Sequence, residues 1–303
     1  MDTTADPTEP PERTAPDNPP PQPALAPPAK ARPLIYRQFA WTRITHWIWA
    51  VSLFFLLLTG LQIFNAHPAL YIGDQSGFEF DNYVLAISQQ RVGEEWRGYT
   101  DILGLKFDTD GVLGRSGPAA QPQYVAFPGW ATIPSYHDLA TGRVIHFFFA
   151  WLLVGTLIAW LIASIVNGHF RDLVPTLADI RRLPRDIADH ARLKFHHTKE
   201  YNTLQKLTYA IVLFVFFPLM ILTGIAMSPG GDALLPWLPE LLGGRQTART
   251  IHFLVMSLLV AFFVIHIVMI LAAGPINELR SIITGWYRAD PPAETRPAGE
   301  QGA

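Results

Sequence analysis

Residues 250–273 read TIHFLVMSLLVAFFVIHIVMILAA. The stretch has no Asp, Glu, Lys or Arg and is long enough to cross a bilayer as a helix. Two histidines, His252 and His266, interrupt it. They are 14 positions apart (252 to 266). At about 100° per residue this is about 1,400°, within roughly 40° of whole turns, so both rings leave one helix face. Along the axis they sit about 21 Å apart. An ionisable ring inside a membrane helix marks a functional site by default. Two on one stripe, near opposite ends, predict two stacked sites facing a bundle interior. Neutral imidazole is a common axial ligand of haem iron.

The whole composition narrows the chemistry. Half of the 303 residues are apolar and the formal net charge is −2, which gives no support to a nucleic-acid partner. There is no cysteine. A disulfide framework, a cysteine-ligated iron–sulfur cluster, a thiol catalyst and a covalent c-type haem are therefore excluded. Any haem is held by axial ligands and packing, as in the b type. Nine Trp and 19 Phe suit membrane interfaces and the surroundings of flat cofactors.

Taken in order, residues 1–33 form a Pro-rich polar segment without hydrophobic periodicity, expected to be a disordered tail with no signal-peptide pattern. The first span is expected over about 44–64, flanked by Trp41, Trp47 and Trp49 and carrying His46 one turn inside. The second is expected over 143–166 with His146 at its start, the third over 204–227 with Pro218 inside, and the fourth over 250–273. Residues 66–142 hold nine acids and four Lys/Arg. This insertion is too long for a plain connector and is expected to fold as an extramembrane subdomain. It is read as a docking surface for a redox partner, against the plainer reading of a variable surface loop. The sequence NELRSIITGWYR (277–288) suggests a short interfacial helix, and residues 289–303 a disordered end. The loop 167–204 carries seven Lys/Arg against four in the longer insertion. By the positive-inside rule both termini are expected in the cytoplasm, with the insertion outside.

The chain also repeats itself. RVIHFFFAWLLVGTLIAW from Arg143 aligns with RTIHFLVMSLLVAFFVIH from Arg249 at an offset of 106 residues, superposing His146 on His252. FLLLTGLQIF and PLMILTGIAM likewise superpose Thr59-Gly60 on Thr223-Gly224. A helical hairpin used twice in one orientation is predicted. The fold class is therefore all-α and membrane-integral, a four-helix bundle of two parallel hairpin repeats with an insertion between the first two helices. The repeat puts His146 and His252 at one depth. It fails at the other end, where Trp160 stands at the position of His266 and Ala210 at that of His46. Those two histidines nevertheless approach the inner surface from opposite directions and can meet there. Two bis-imidazole pairs are predicted, His146–His252 outside and His46–His266 inside. The alternatives are purely structural histidines, a proton-relay site, or a zinc site, for which no third or fourth Cys, His or carboxylate lies at either depth. His67, His137, His169, His190, His196 and His197 read as surface residues. Arg143 and Arg249 could neutralise haem propionates or act as helix-end charges, and Arg43 and Lys206 carry the same ambiguity at the inner end.

RITHWIWAVSLFFLLLTG, GRVIHFFFAW and ARTIHFLVMSLLVAFFVIH resemble the bacterial cytochrome b561 and nickel–iron hydrogenase b-type cytochrome superfamily of four-helix dihaem membrane proteins. Within it, HPALYIGDQSGF, FPGW, HDLATGRVIHFFFAW, YNTLQKLTY and NELRSIITGWYR resemble the thiosulfate-reductase-type cytochrome b subgroup. The likeness spans about residues 35–288, and 34–288 is taken as the cytochrome domain. The resemblance implies two haem b groups, with His46 and His266 on the inner one and His146 and His252 on the outer. It also implies a quinone substrate, a bacterial inner-membrane location and a periplasmic partner of the molybdopterin oxidoreductase type. Arg43, Tyr201, Asn202 and Gln205 are candidate quinone contacts, and equally ordinary interface residues. A stand-alone quinone-reducing superoxide oxidase is one rival, against which the acidic insertion argues by repelling an anion. A haem-free anchor or transporter is the other.

Overall fold

The computed structural model describes residues 33–77, 79–80, 82–118, 120–168, 175–192 and 203–289. Most of both tails, with His169, His196, His197, Tyr201 and Asn202, lies outside the described residues, as does the His190 side chain.

Four helices are long and apolar enough to cross a membrane: α1 (Ala40–Phe64), α2 (Leu139–Val166), α4 (Thr203–Met227) and α5 (Arg245–Ala273). Between α2 and α4 lies α3 (Leu177–Ala191), a polar helix. Lys206 at the start of α4 reaches Asp179 of α3 at 3.3 Å. After α5 comes α6 (Pro275–Thr284). The four long helices end at the expected residues but begin four or five residues earlier for α1, α2 and α5 and one earlier for α4. Hydropathy misses those first turns because they sit at the polar end. Asp138 caps α2, accepting from the Thr141 amide at 3.0 Å. Residues 212–216 inside α4 are a π-helical turn just before Pro218. A proline in a helix removes a donor and crowds the carbonyl four residues back, and the wider turn relieves that.

The chain forms two close hairpins, α1 against α2 and α4 against α5. In the first, Thr45, Ser52 and Thr59 are buried at heptad spacing. Small residues let helix backbones approach in lipid. Trp49 donates from Nε1 to Thr156 Oγ1 at 3.1 Å and links the two helices. Across the hairpins the contacts are ring to ring: Trp49 on Phe217 at 6.1 Å, and Phe64 on Phe253 at 4.8 Å.

The insertion contains a four-stranded antiparallel meander in the order β2 (Ala69–Tyr71), β3 (Tyr83–Val92), β4 (Glu95–Ile102), β5 (Leu105–Asp108). It is fastened to both hairpins. Asn65 at the end of α1 donates to the Phe127 carbonyl at 2.9 Å and accepts from its amide at 2.8 Å. The first amides of α5 have no side-chain cap of their own element. Gln246 and Thr247 donate instead to the Gly73 carbonyl, at 3.0 and 3.2 Å. Arg245 donates to Asp74 Oδ1 at 3.0 Å. A carboxylate there also meets the positive end of the helix dipole. Below, β1 (Leu34–Tyr36) pairs antiparallel with β6 (Trp286–Arg288). Gly285, with φ 88°, lies between α6 and β6, and a Cβ there would meet Tyr36 Cε2 at 2.5 Å. Only glycine fits both the conformation and the space.

Replacing Asp74 with Ala removes the cap of α5. The expected loss is about 1–2 kcal/mol, read as a lower unfolding midpoint in detergent, with earlier proteolysis within 66–142. An unchanged midpoint would show that the Gly73 carbonyl suffices.

Candidate functional site

The four intramembrane histidines fall at two depths. His146 and His252 each lie seven residues after the first residue of their helix (139 to 146, 245 to 252). His46 lies six after the start of α1 and His266 seven before the end of α5. Since α1 and α5 run in opposite directions, those two converge at one end.

At the first depth each ring is held from within its own hairpin. His146 Nδ1 is 3.0 Å from Thr59 Oγ1, and His252 Nδ1 is 2.9 Å from Thr223 Oγ1. Each threonine hydroxyl also faces a carbonyl one turn back, Phe55 O at 2.6 Å and Leu219 O at 2.7 Å. A hydroxyl has one proton to give. With it donated to the carbonyl, the oxygen accepts from the ring. The network therefore assigns the proton to Nδ1 and leaves Nε2 a bare lone pair in both rings. This is the tautomer a metal-ligating imidazole needs, fixed by its other nitrogen. The neighbouring glycines complete the seat. A Cβ on Gly60 would lie 3.5 Å from His146 Cε1, and one on Gly224 would lie 3.6 Å from His252 Cε1. Alanine would touch the ring and anything longer would displace it. Thr-Gly over His is thus one device built twice.

At the second depth the His46 and His266 rings are 6.5 Å apart, centroid to centroid, and inclined at 53°. Two imidazoles on opposite sides of one metal ion, each at a bond of about 2 Å, bring their ring centres about 6.3 Å apart. The observed separation is close to that value and leaves room for one metal ion between the rings. The Thr-Gly device is missing here: His46 Nδ1 is buried without a hydrogen-bond partner, and His266 stacks on Phe262 at 5.7 Å. His46 also meets Trp47 edge-on at 5.5 Å.

The paired arginines of the repeat part company. Arg249 donates to the His67 carbonyl and lies over the Phe64 ring at 5.5 Å, half-buried. Arg143 is exposed, over Phe147 at 5.8 Å. The insertion reaches one and not the other. His67, expected as a plain surface residue, is half-buried, stacks on Tyr71 and approaches its hydroxyl at 3.0 Å. Burial, then the Arg249 charge, hold His67 below the ordinary imidazole pKa, so it is neutral near pH 7. At the inner end Arg43 donates from Nη1 to the Ile283 carbonyl at 2.7 Å. It lines a cavity of about 290 Å³ with Ala40, Ile44, Trp47, Ile282 and Ile283. Gln205 stands in the first turn of α4, apart from those cavity-lining residues. Among the described residues no group of three or more His, Cys, Asp or Glu is placed to hold a metal ion. The Thr-Gly repeat is visible in the sequence as a superposition of Thr59-Gly60 on Thr223-Gly224. The hydroxyl's second role, as the acceptor for a histidine, is not.

These features define a b-type membrane cytochrome, and comparison with known families agrees. The sequence model of the prokaryotic cytochrome b561 family matches residues 37–285, and the chain belongs to that family. Its members bind b-type haem. A curated relative from Azospira oryzae, YedZ1, named as a subunit of a protein-methionine-sulfoxide reductase, is 24% identical over 232 residues, covering 76% of this chain and 87% of the relative.

Substituting Gly224 by Leu is expected to displace the His252 ring and lower haem per polypeptide, measured as the pyridine haemochrome, whereas Gly224→Ala should keep it near wild type. Equal haem in both variants would show that the glycine does not seat the ring.

Proposed function

We propose that the chain is a dihaem b-type cytochrome that carries electrons between the membrane quinone pool and a redox partner on the outer face, with its termini in the cytoplasm. The observation that carries this reading is the pairing of α5. Of its two histidines, about 21 Å apart along the axis, His266 faces His46 of α1 at 6.5 Å between ring centroids, and His252 matches the depth of His146 of α2 through the repeated hairpin. His146 and His252 would hold the outer haem, and His46 and His266 the inner. When bound, the haems supply one-electron chemistry, which the protein tunes through ligands and nearby charge. Thr59 and Thr223 present Nε2 of the outer rings. Arg249 places a positive charge above His252, suited to a haem propionate, and its tether to His67 joins it to the insertion. Arg143 is free of that tether and suits a propionate only by turning inward.

The quinone reading rests on the inner cavity. Arg43 borders it with a cation, and Trp47, beside His46, gives it an aromatic wall. A head group there would sit one ring from the inner pair. The acidic insertion, capped onto the helix that carries His252, suits a partner with a basic face. The family likeness and the relative's name agree with a reductase-type partner. The thiosulfate-reductase-type subgroup likeness points to the molybdopterin oxidoreductase class.

The dithionite-reduced minus oxidised spectrum of the purified protein, with a haemochrome count, should give two b haems per chain, and one or none in His252→Ala or His266→Ala. A folded but colourless protein would overturn the proposal. Arg43→Gln should raise the KM for a quinol about fivefold to tenfold, with the haem spectrum unchanged. An unchanged KM would move the quinone elsewhere.

A further inference from the structure

Where α5 ends, the chain turns at Gly274, with φ 112°, directly into α6. A groove of about 310 Å³ lies at this corner, lined by Ala273, Gly274, Ile276, Asn277, Arg280 and Arg288 among others. Its level is fixed by α5, whose apolar run stops at Ala273.

The surroundings are lipid-facing. Ile276, Leu279 and Ile283 of α6 are 76%, 44% and 59% exposed. Their spacing puts them on one stripe of the helix. A helix with an apolar stripe at the end of a span lies in the interface, the stripe turned toward the acyl chains. Val268 and Leu271, on the last turns of α5, are exposed too.

Two cations border this apolar corner. Among the described residues, neither the Arg280 nor the Arg288 guanidinium makes an ion pair or a hydrogen bond. The acid of α6, Glu278, accepts from the Tyr287 hydroxyl at 3.1 Å. Burial, then the Glu278 charge, push the Tyr287 phenol above its ordinary pKa, so it stays a donor. Asn277 fixes the backbone of Arg288 with two bonds, accepting at 2.9 Å and donating at 3.0 Å. Arg280 therefore comes from α6 and Arg288 from β6, two elements locked to each other.

We propose that this groove binds the phosphate of an anionic phospholipid, with Arg280 and Arg288 on the phosphate oxygens and an acyl chain along Val268, Leu271 and Ile276. Arginine forks match phosphate geometry, and basic pockets at the ends of spans select anionic head groups. The site is separate from the histidine pairs. It touches the proposed function at one point, because Ile282 and Ile283 of α6 also wall the Arg43 cavity.

Native mass spectrometry of the full-length haem-loaded protein tests this. Detergent-purified protein is exchanged with phosphatidylglycerol, with phosphatidylcholine, or with inorganic phosphate. Wild type should retain one phosphatidylglycerol in preference to phosphatidylcholine. Arg280→Gln with Arg288→Gln should weaken retention about tenfold or more, with the haem spectrum unchanged. If that double variant loses its spectrum, Arg280→Lys with Arg288→Lys replaces it and should weaken retention less. Equal retention of both lipids, or wild-type retention in the variants, would overturn the proposal. Displacement of the lipid by millimolar inorganic phosphate would also overturn it, in favour of a soluble-anion site.

Discussion

An imidazole in hydrocarbon has no water to receive its N–H, and an unmade bond there costs several kcal/mol. This requirement shapes the outer half of the molecule. Thr59 and Thr223 receive the proton of His146 and His252 while giving their own to the helix behind them. The other ring nitrogen is left with a lone pair, the form in which an imidazole can bind a metal. Glycine beside each threonine lets the ring lie close to the helix. Each hairpin thus supplies a ligand, its orienting acceptor and the space for it, which explains why the hairpin could be used twice.

The inner half is built otherwise. Its two rings come from different hairpins and rely on ring contacts instead of hydroxyl acceptors. An acceptor on Nδ1 raises the basicity of a ligating imidazole. Two sites of one ligand type but unequal second nitrogens are not chemically equivalent. The insertion adds a further asymmetry, since its Gly73-Asp74 turn caps α5 and its His67 carbonyl holds Arg249, while Arg143 stays exposed.

Much of this was legible in the sequence, and for identifiable reasons. Apolar runs end sharply at Phe64, Val166, Met227 and Ala273, so the spans were found to their last residues. Histidine spacing along one helix follows from helix geometry, the shared depth of His146 and His252 follows from the repeat, and that of His46 and His266 from the opposite directions of their helices. What was missed depends on distant partners. The meander strands alternate weakly, and part of the insertion's contact with α5 runs through backbone carbonyls at Gly73, Tyr71 and His67, which no side-chain pattern announces. The strands at Leu34–Tyr36 and Trp286–Arg288 are three residues each, too short to signal before they pair. Arg143 and Arg249 align in the repeat, and only the insertion separates their surroundings.

The β1–β6 pairing ties Leu34 to Arg288, almost the two ends of the described chain, beneath the helices that carry His46 and His266. Synthesis runs from the N-terminus. His46 enters the membrane with the first helix and waits for its counterpart until the fourth is in place, and the clasp that holds both helices together closes later still. His146 has Thr59 within its own hairpin as soon as two helices are inserted, and His252 has Thr223 likewise. In the proposed haem-ligand reading, chain order therefore seats the outer rings one hairpin at a time and brings the two inner rings together last.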